Sequence, residues 1–141
     1  PVTRNQRCSA AAAAYGVHAW TSAIFTGEIP GIAPLLERAA KHLPLYAFSN
    51  ANGAHVGHFS AAYADVLGHF RQIFLSSSIG LRKPDAAAYD HVVKAIGVPA
   101  RRIVFFDDLP ENIEGARARG LSAVHVTSLG DVADALAALG I

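Results

Sequence analysis

The sequence predicts an α/β fold, a Rossmann-like parallel sheet with flanking helices. Three observations predict it. Short apolar runs, Leu45 to Phe48, Ile73 to Leu75 and Arg102 to Phe106, alternate with stretches of helical periodicity. Polar residues gather just after these runs: Ser49-Asn50, Ser76 to Ser78, and Asp107-Asp108. Strands alternating with helices imply right-handed crossovers, which bring all the strand ends to one edge, where open α/β sheets bind ligands.

Each element follows in order. Residues 8–26 contain an Ala run with Tyr15, Trp20, Ile24 and Phe25 as apolar anchors. They read as a helix, because Ala is the best helix former. Gly27 to Gly31, with Pro30 inside, break it and mark a domain boundary. Ile32 to His42 is amphipathic, with Ile32, Leu35, Leu36 and Ala39 on one face. A buried strand follows at Pro44 to Asn50. A turn at Ala51 to Gly53 then opens a helix running to about Leu67.

Ile73 to Leu75 is a short strand, and Ser76-Ser77-Ser78 a polar loop. Lys83-Pro84-Asp85 opens the next helix, with Pro near its first turn and Asp85 placed to favour the helix dipole. Its core stripe is Tyr89, Val92, Val93 and Ile96, and Gly97 stops it. Arg102 to Phe106 is a buried strand, Asn112 to Arg119 its helix, and Gly120 the cap. Ala123 to Val126 and Asp131 to Leu139 are the last strand and helix.

Composition narrows the function. The chain has 141 residues, 52% of them hydrophobic, enough for one core. A formal net charge of +1, with no basic run longer than Arg101-Arg102, argues against nucleic acid. No stretch is long enough to span a membrane. The single Cys8 excludes an internal disulfide and fits a reducing, cytoplasmic setting.

Three loops carry the chemistry. Ser49-Asn50 offers a hydroxyl and backbone N–H groups at a helix start, which suits an anion. A plain helix cap explains either residue equally well. Lys83 lies where an ammonium can reach a phosphate or a carboxylate, although a solvated surface lysine has the same sequence signature. Asp107-Asp108 is the strongest signal. Two adjacent acids at the end of an apolar strand repel each other and call for a cation or a basic partner. Oxygen-only ligands suit Mg²⁺.

Taken together, Phe48-Ser49-Asn50, then Gly80 to Asp85, then Phe105 to Asn112 resemble motifs two, three and four of the haloacid dehalogenase-like (HAD) hydrolase superfamily. Within it, the chain is most similar to sugar-phosphate phosphatases of the glucose-1-phosphatase type and to the phosphatase domain of soluble epoxide hydrolases. The resemblance covers residues 29–127. It implies a Mg²⁺-dependent phosphatase acting on a small phosphorylated metabolite. Ser49, Asn50 and Lys83 would hold the phosphoryl group, and Lys83 would also neutralise the nucleophilic carboxylate. Asp108 would ligate Mg²⁺, with Asp107 binding through water or orienting Lys83. Asn112 would steady their loop. Residues 1–28 resemble the end of a small helical cap, and residues 29–141 the α/β core.

One departure matters. The family's first motif, a strand ending Asp-x-Asp that supplies nucleophile and general acid, is not in this sequence, and no Asp precedes Asp65. The expectation is therefore a core lacking its first, central strand, from a longer parent protein, with this chain inactive alone. A gap in the sheet would favour a homodimer or a complementing N-terminal segment. Two further readings are a 2-haloacid dehalogenase, which needs no metal and leaves the acidic pair unexplained, and a non-catalytic binding module. His55 and His58, three apart, are a chance pair for want of a third ligand nearby in sequence. Arg117 and Arg119 read as a solvated helix face, and His91 and His125 as surface and strand residues.

Overall fold

A computed structural model describes residues 10–13, 31–50 and 64–141. It contains a five-stranded parallel sheet: β1 Ala10–Ala13, β2 Leu45–Ser49, β3 Phe70–Leu75, β4 Ile103–Asp107 and β5 Ser122–His125. The spatial order is β3-β2-β1-β4-β5. The helices are α1 Ile32–Ala40, α2 Ala64–Leu67, α3 Ser76–Ile79, α4 Ala86–Ile96, α5 Pro110–Ala118 and α6 Leu129–Ala138. A 3₁₀ turn, Ala100–Arg102, leads into β4.

The α/β class is as expected, but the missing central strand is not. Ala10–Ala13 lies between β2 and β4 and pairs with both, Ala11 opposite Leu45 and Val104, Ala12 opposite Tyr46 and Phe105. The expected helix over 8–26 is therefore wrong at these four residues. Alanine's helical preference is worth only tenths of a kcal/mol per residue. Two buried apolar strands with unpaired N–H and C=O groups outweigh it. The gap that favoured strand donation is filled. Of the expected cap remnant, residues 1–28, only Ala10–Ala13 are described, and they belong to the core sheet. The rest of that segment, Cys8, Trp20, His55 and His58 lie outside the described residues.

Two apolar layers sandwich the sheet. Alternation along β4 sends Ile103 and Phe105 to one face and Phe106 to the other. Ile103 and Phe105 meet Phe48, Phe74, Tyr89 and Val92. Phe106 meets Ile32, Leu36, Leu45, Val132 and Leu136. β3 starts three residues earlier than expected, at Phe70, where it pairs with Leu45 before a register shift. Ser76–Ser78, expected as loop, begin the short helix α3, which ends at Gly80 with φ +70°. Among the described residues, no helix is long and apolar enough to cross a membrane.

The last helix carries a local test. The Asp131 carboxylate accepts from Thr127 N at 2.7 Å, Thr127 Oγ1 at 2.8 Å and Ser128 N at 2.9 Å, closing a capping box. These bonds hold the Asp131 carboxyl below its ordinary value. A depressed folded value means stability that is present above the unfolded carboxyl value and lost as pH falls through the folded one. Asp131→Asn is expected to lower Tm at pH 7, with the difference from wild type shrinking in melts below about pH 4. An unchanged Tm at pH 7 would remove this role.

Candidate active site

The strand order places β1 and β4 side by side while the chain crosses from β3, at one edge, to β4 on the far side of β1. Such a reversal leaves a crevice at the C-terminal strand ends. Lys83 sits in the crossover between β3 and β4, Ser49 ends β2, and Asp107 ends β4. The three expected loops thus meet.

Lys83 is the centre of the site and no surface lysine, being 1% exposed. Its ammonium donates to Asp107 Oδ2 at 2.7 Å and to the Phe48 carbonyl at 3.0 Å. It stands 5.1 Å from the Phe48 ring centroid and 5.5 Å from that of Phe105, within cation–π range. Burial lowers the Lys83 pKa from its ordinary value, and the Asp107 charge opposes that shift.

Asp107 is fully engaged. Besides Lys83, it accepts through Oδ1 from Leu109 N at 2.9 Å and Asn112 Nδ2 at 3.1 Å. Asp107 thus holds the Lys83 ammonium through Oδ2 and its own loop through Oδ1. Asn112, the donor of the second Oδ1 bond, is 2% exposed. The Asn50 side chain braces the lysine loop, donating Nδ2 to Lys83 O at 2.9 Å and accepting from Lys83 N at 3.0 Å. Any contact of Asn50 with an anion is left to its backbone N–H. Ser49 is buried beside Leu75 of β3.

Asp108 differs from its neighbour. Its Oδ1 is buried with no hydrogen-bond partner among the described residues. Burial, then the Asp107 charge, raises its carboxyl above the ordinary value. A buried orphan carboxylate oxygen beside a second carboxylate fits a cation. No cluster of three or more His, Cys, Asp or Glu occurs among the described residues. That donor set suits Mg²⁺, which takes one or two carboxylates and keeps several waters.

Three residues join the site from outside the sequence expectation. His125, opposite Asp107 in β5, places Nε2 2.9 Å from the Asp108 carbonyl, so Nε2 carries the proton. Tyr89, expected only as core, donates its hydroxyl to the Asn112 carbonyl at 2.7 Å. Its ring also meets both rings around Lys83 edge-on, at 6.2 Å from Phe48 and 5.7 Å from Phe105. Gly115 lets α5 approach the lysine loop, as a Cβ there would lie 2.9 Å from the Pro84 carbonyl. Arg117 and Arg119 lie exposed, as expected of a solvated helix face; there Arg119 pairs bidentately with Asp90 at 2.8 and 3.0 Å, and Arg117 donates to the Ala123 carbonyl.

A family model described as haloacid dehalogenase-like hydrolase matches residues 6–120. The chain belongs to that family. A phosphatase of Mycobacterium tuberculosis is 32% identical over 111 residues, covering 78% of this HAD chain and 51% of the relative. An enolase-phosphatase of a Bradyrhizobium species is 38% identical over 91 residues, covering 62% and 38%. The HAD chain thus spans about half the length, or less, of these curated relatives. The fold is shared with an uncharacterized protein of Corynebacterium glutamicum, with a TM-score of 0.73, 23% identity and coverage of 92% and 93%. It is also shared with a HAD family enzyme of Bacteroides thetaiotaomicron in complex with magnesium and inorganic phosphate, with a TM-score of 0.67, 13% identity and coverage of 86% and 95%.

Proposed function

We propose that this chain carries the phosphate- and Mg²⁺-binding half of a phosphomonoesterase acting on a small phosphorylated metabolite. The observation that carries the reading is the buried Lys83–Asp107 pair beside the orphan Asp108 Oδ1. Lys83 supplies fixed positive charge at the strand ends, where phosphoryl transfer needs it around the equatorial oxygens. Asp107 orients Lys83, Asn112 holds Asp107, and Ser49 with the Asn50 N–H faces the anion. Asp108 would hold Mg²⁺, with Asp107 contributing through water. The ion supplies charge neutralisation when bound. Relatives named as phosphatases, and a fold neighbour carrying magnesium and inorganic phosphate, support this chemistry. A cytoplasmic setting fits the single cysteine.

Covalent catalysis of the family's kind needs a carboxylate nucleophile, and no Asp-x-Asp stands in these 141 residues. Binding without turnover is therefore expected. Calorimetry should detect inorganic phosphate in the presence of Mg²⁺, and Asp108→Asn should abolish the Mg²⁺ requirement together with the tight binding. No phosphate binding by the wild-type chain would sink the reading. Turnover of p-nitrophenyl phosphate by this chain, lost in Asp108→Asn, would overturn the division of labour. The dehalogenase reading leaves the orphan carboxylate unexplained, since that chemistry needs no metal.

A further inference from the structure

We propose that His125 is a positioning residue, which aims the Asp108 carboxylate at the cation site by holding the Asp108–Leu109 peptide from β5. The inference rests on the Mg²⁺-site reading above. His125 is the last residue of β5 and pairs with Asp107 in the sheet. Its ring reaches past that partner to the Asp108 carbonyl, 2.9 Å from Nε2.

A peptide unit is planar, so the two planes that flank a Cα set the direction of its side chain. Both planes at Asp108 are tied. The Asp107 carbonyl accepts from Val126 N at 2.8 Å, which holds the plane before Asp108. The plane after it is held at both ends. Leu109 N donates to Asp107 Oδ1 at 2.9 Å, and the Asp108 carbonyl accepts from His125. Val126 N belongs to the backbone, and Asp107 is the carboxylate that also holds Lys83. Among the described residues, His125 is the side chain that ties this peptide from outside the Lys83–Asp107 pair.

Asp108 needs such a hold. Its neighbour is a second carboxylate, and repulsion would turn an untethered Asp108 towards solvent. Instead its Oδ1 stays buried without a hydrogen-bond partner among the described residues. The tied backbone beneath it keeps the oxygen in that costly place. Groups that orient a metal ligand from behind set much of the site's affinity. A carbonyl only accepts, so Nε2 must donate, and the Nε2–H imidazole and the imidazolium both can. The role is therefore one of geometry, not of charge state.

The test uses two variants of the 141-residue chain. His125→Leu removes the donor at an exposed strand end, and His125→Gln keeps a donor nitrogen at similar reach. Mg²⁺ is titrated by calorimetry with excess inorganic phosphate present. His125→Leu is expected to weaken Mg²⁺ about tenfold, the low end for a group behind a metal ligand. His125→Gln should restore the wild-type affinity. In the metal-free chain, the Leu109 amide should exchange with solvent faster in His125→Leu than in wild type or His125→Gln, since it shares the tied plane. Wild-type Mg²⁺ affinity in His125→Leu, an unchanged Leu109 exchange rate there, or a His125→Gln variant as weak as His125→Leu would each overturn the proposal. A wild-type chain that binds no Mg²⁺ would instead overturn the Mg²⁺-site reading, and this proposal with it.

Discussion

Asp107→Ala is expected to destabilise the fold by roughly 3–5 kcal/mol, the cost of leaving a buried charge without its partner. The Asp107 and Lys83 side chains are both fully buried, 2.7 Å apart. Removing the carboxylate leaves the ammonium with the Phe48 carbonyl and two aromatic faces, and strips acceptors from Leu109 N and Asn112 Nδ2. Whole domains are stable by only about 5–15 kcal/mol, so the variant could fail to fold. A double variant, Lys83→Met with Asp107→Leu, keeps the measurement informative. Replacing a buried pair by apolar residues of similar volume is often neutral or stabilising. Urea unfolding should therefore show the double variant more stable than Asp107→Ala, while phosphate binding is lost in both. A double variant no more stable than the single one would mean that the pair is not what the single substitution breaks.

Gly115→Ala should be destabilising, against the direction expected from helix propensity. In an ordinary helix interior the change gains up to about 1 kcal/mol. Here the new Cβ would lie 2.9 Å from the Pro84 carbonyl, 2.9 Å from Tyr89 Cε2 and 3.1 Å from its hydroxyl. Overpacking of this kind costs about 1–3 kcal/mol. The displaced groups are those that position the site: Pro84 follows Lys83, and Tyr89 holds the Asn112 carbonyl. The expected result is a lower urea midpoint together with weaker phosphate binding. A variant as stable as wild type would show that α5 and the lysine loop can part without cost.

Much of the site is legible along the chain because each of its loops is local. A strand ending in Asp107-Asp108, Lys83 before a proline, and Ser49-Asn50 after a strand are all short-range patterns. Parallel topology then brings their ends together wherever the intervening helices run. The choice between the two aspartates is not local. Asp107 is assigned to Lys83, and Asp108 left with an orphan oxygen, by which carboxylate faces the crossover loop. Tyr89 and His125 reach the site through hydroxyl and ring nitrogen contacts spanning 23 and 17 residues, which no periodicity reveals.

The sequence by itself determined the α/β class, the order of the described strands from residue 31 onward and of the described helices except the short α3, and the three loops that would carry phosphate and metal chemistry. Apolar runs and turn residues encode those features within a few neighbours. Only the tertiary structure decided the place of Ala10–Ala13. Alone, four alanines favour a helix. Between β2 and β4 they become the middle strand, because pairing two buried strand edges outweighs a weak local preference. The burial of Lys83 was decided in the same way. Its sequence neighbours leave a solvated lysine open, and only the packing of Phe48, Phe105 and Asp107 around its ammonium makes it the charge at the centre of the site.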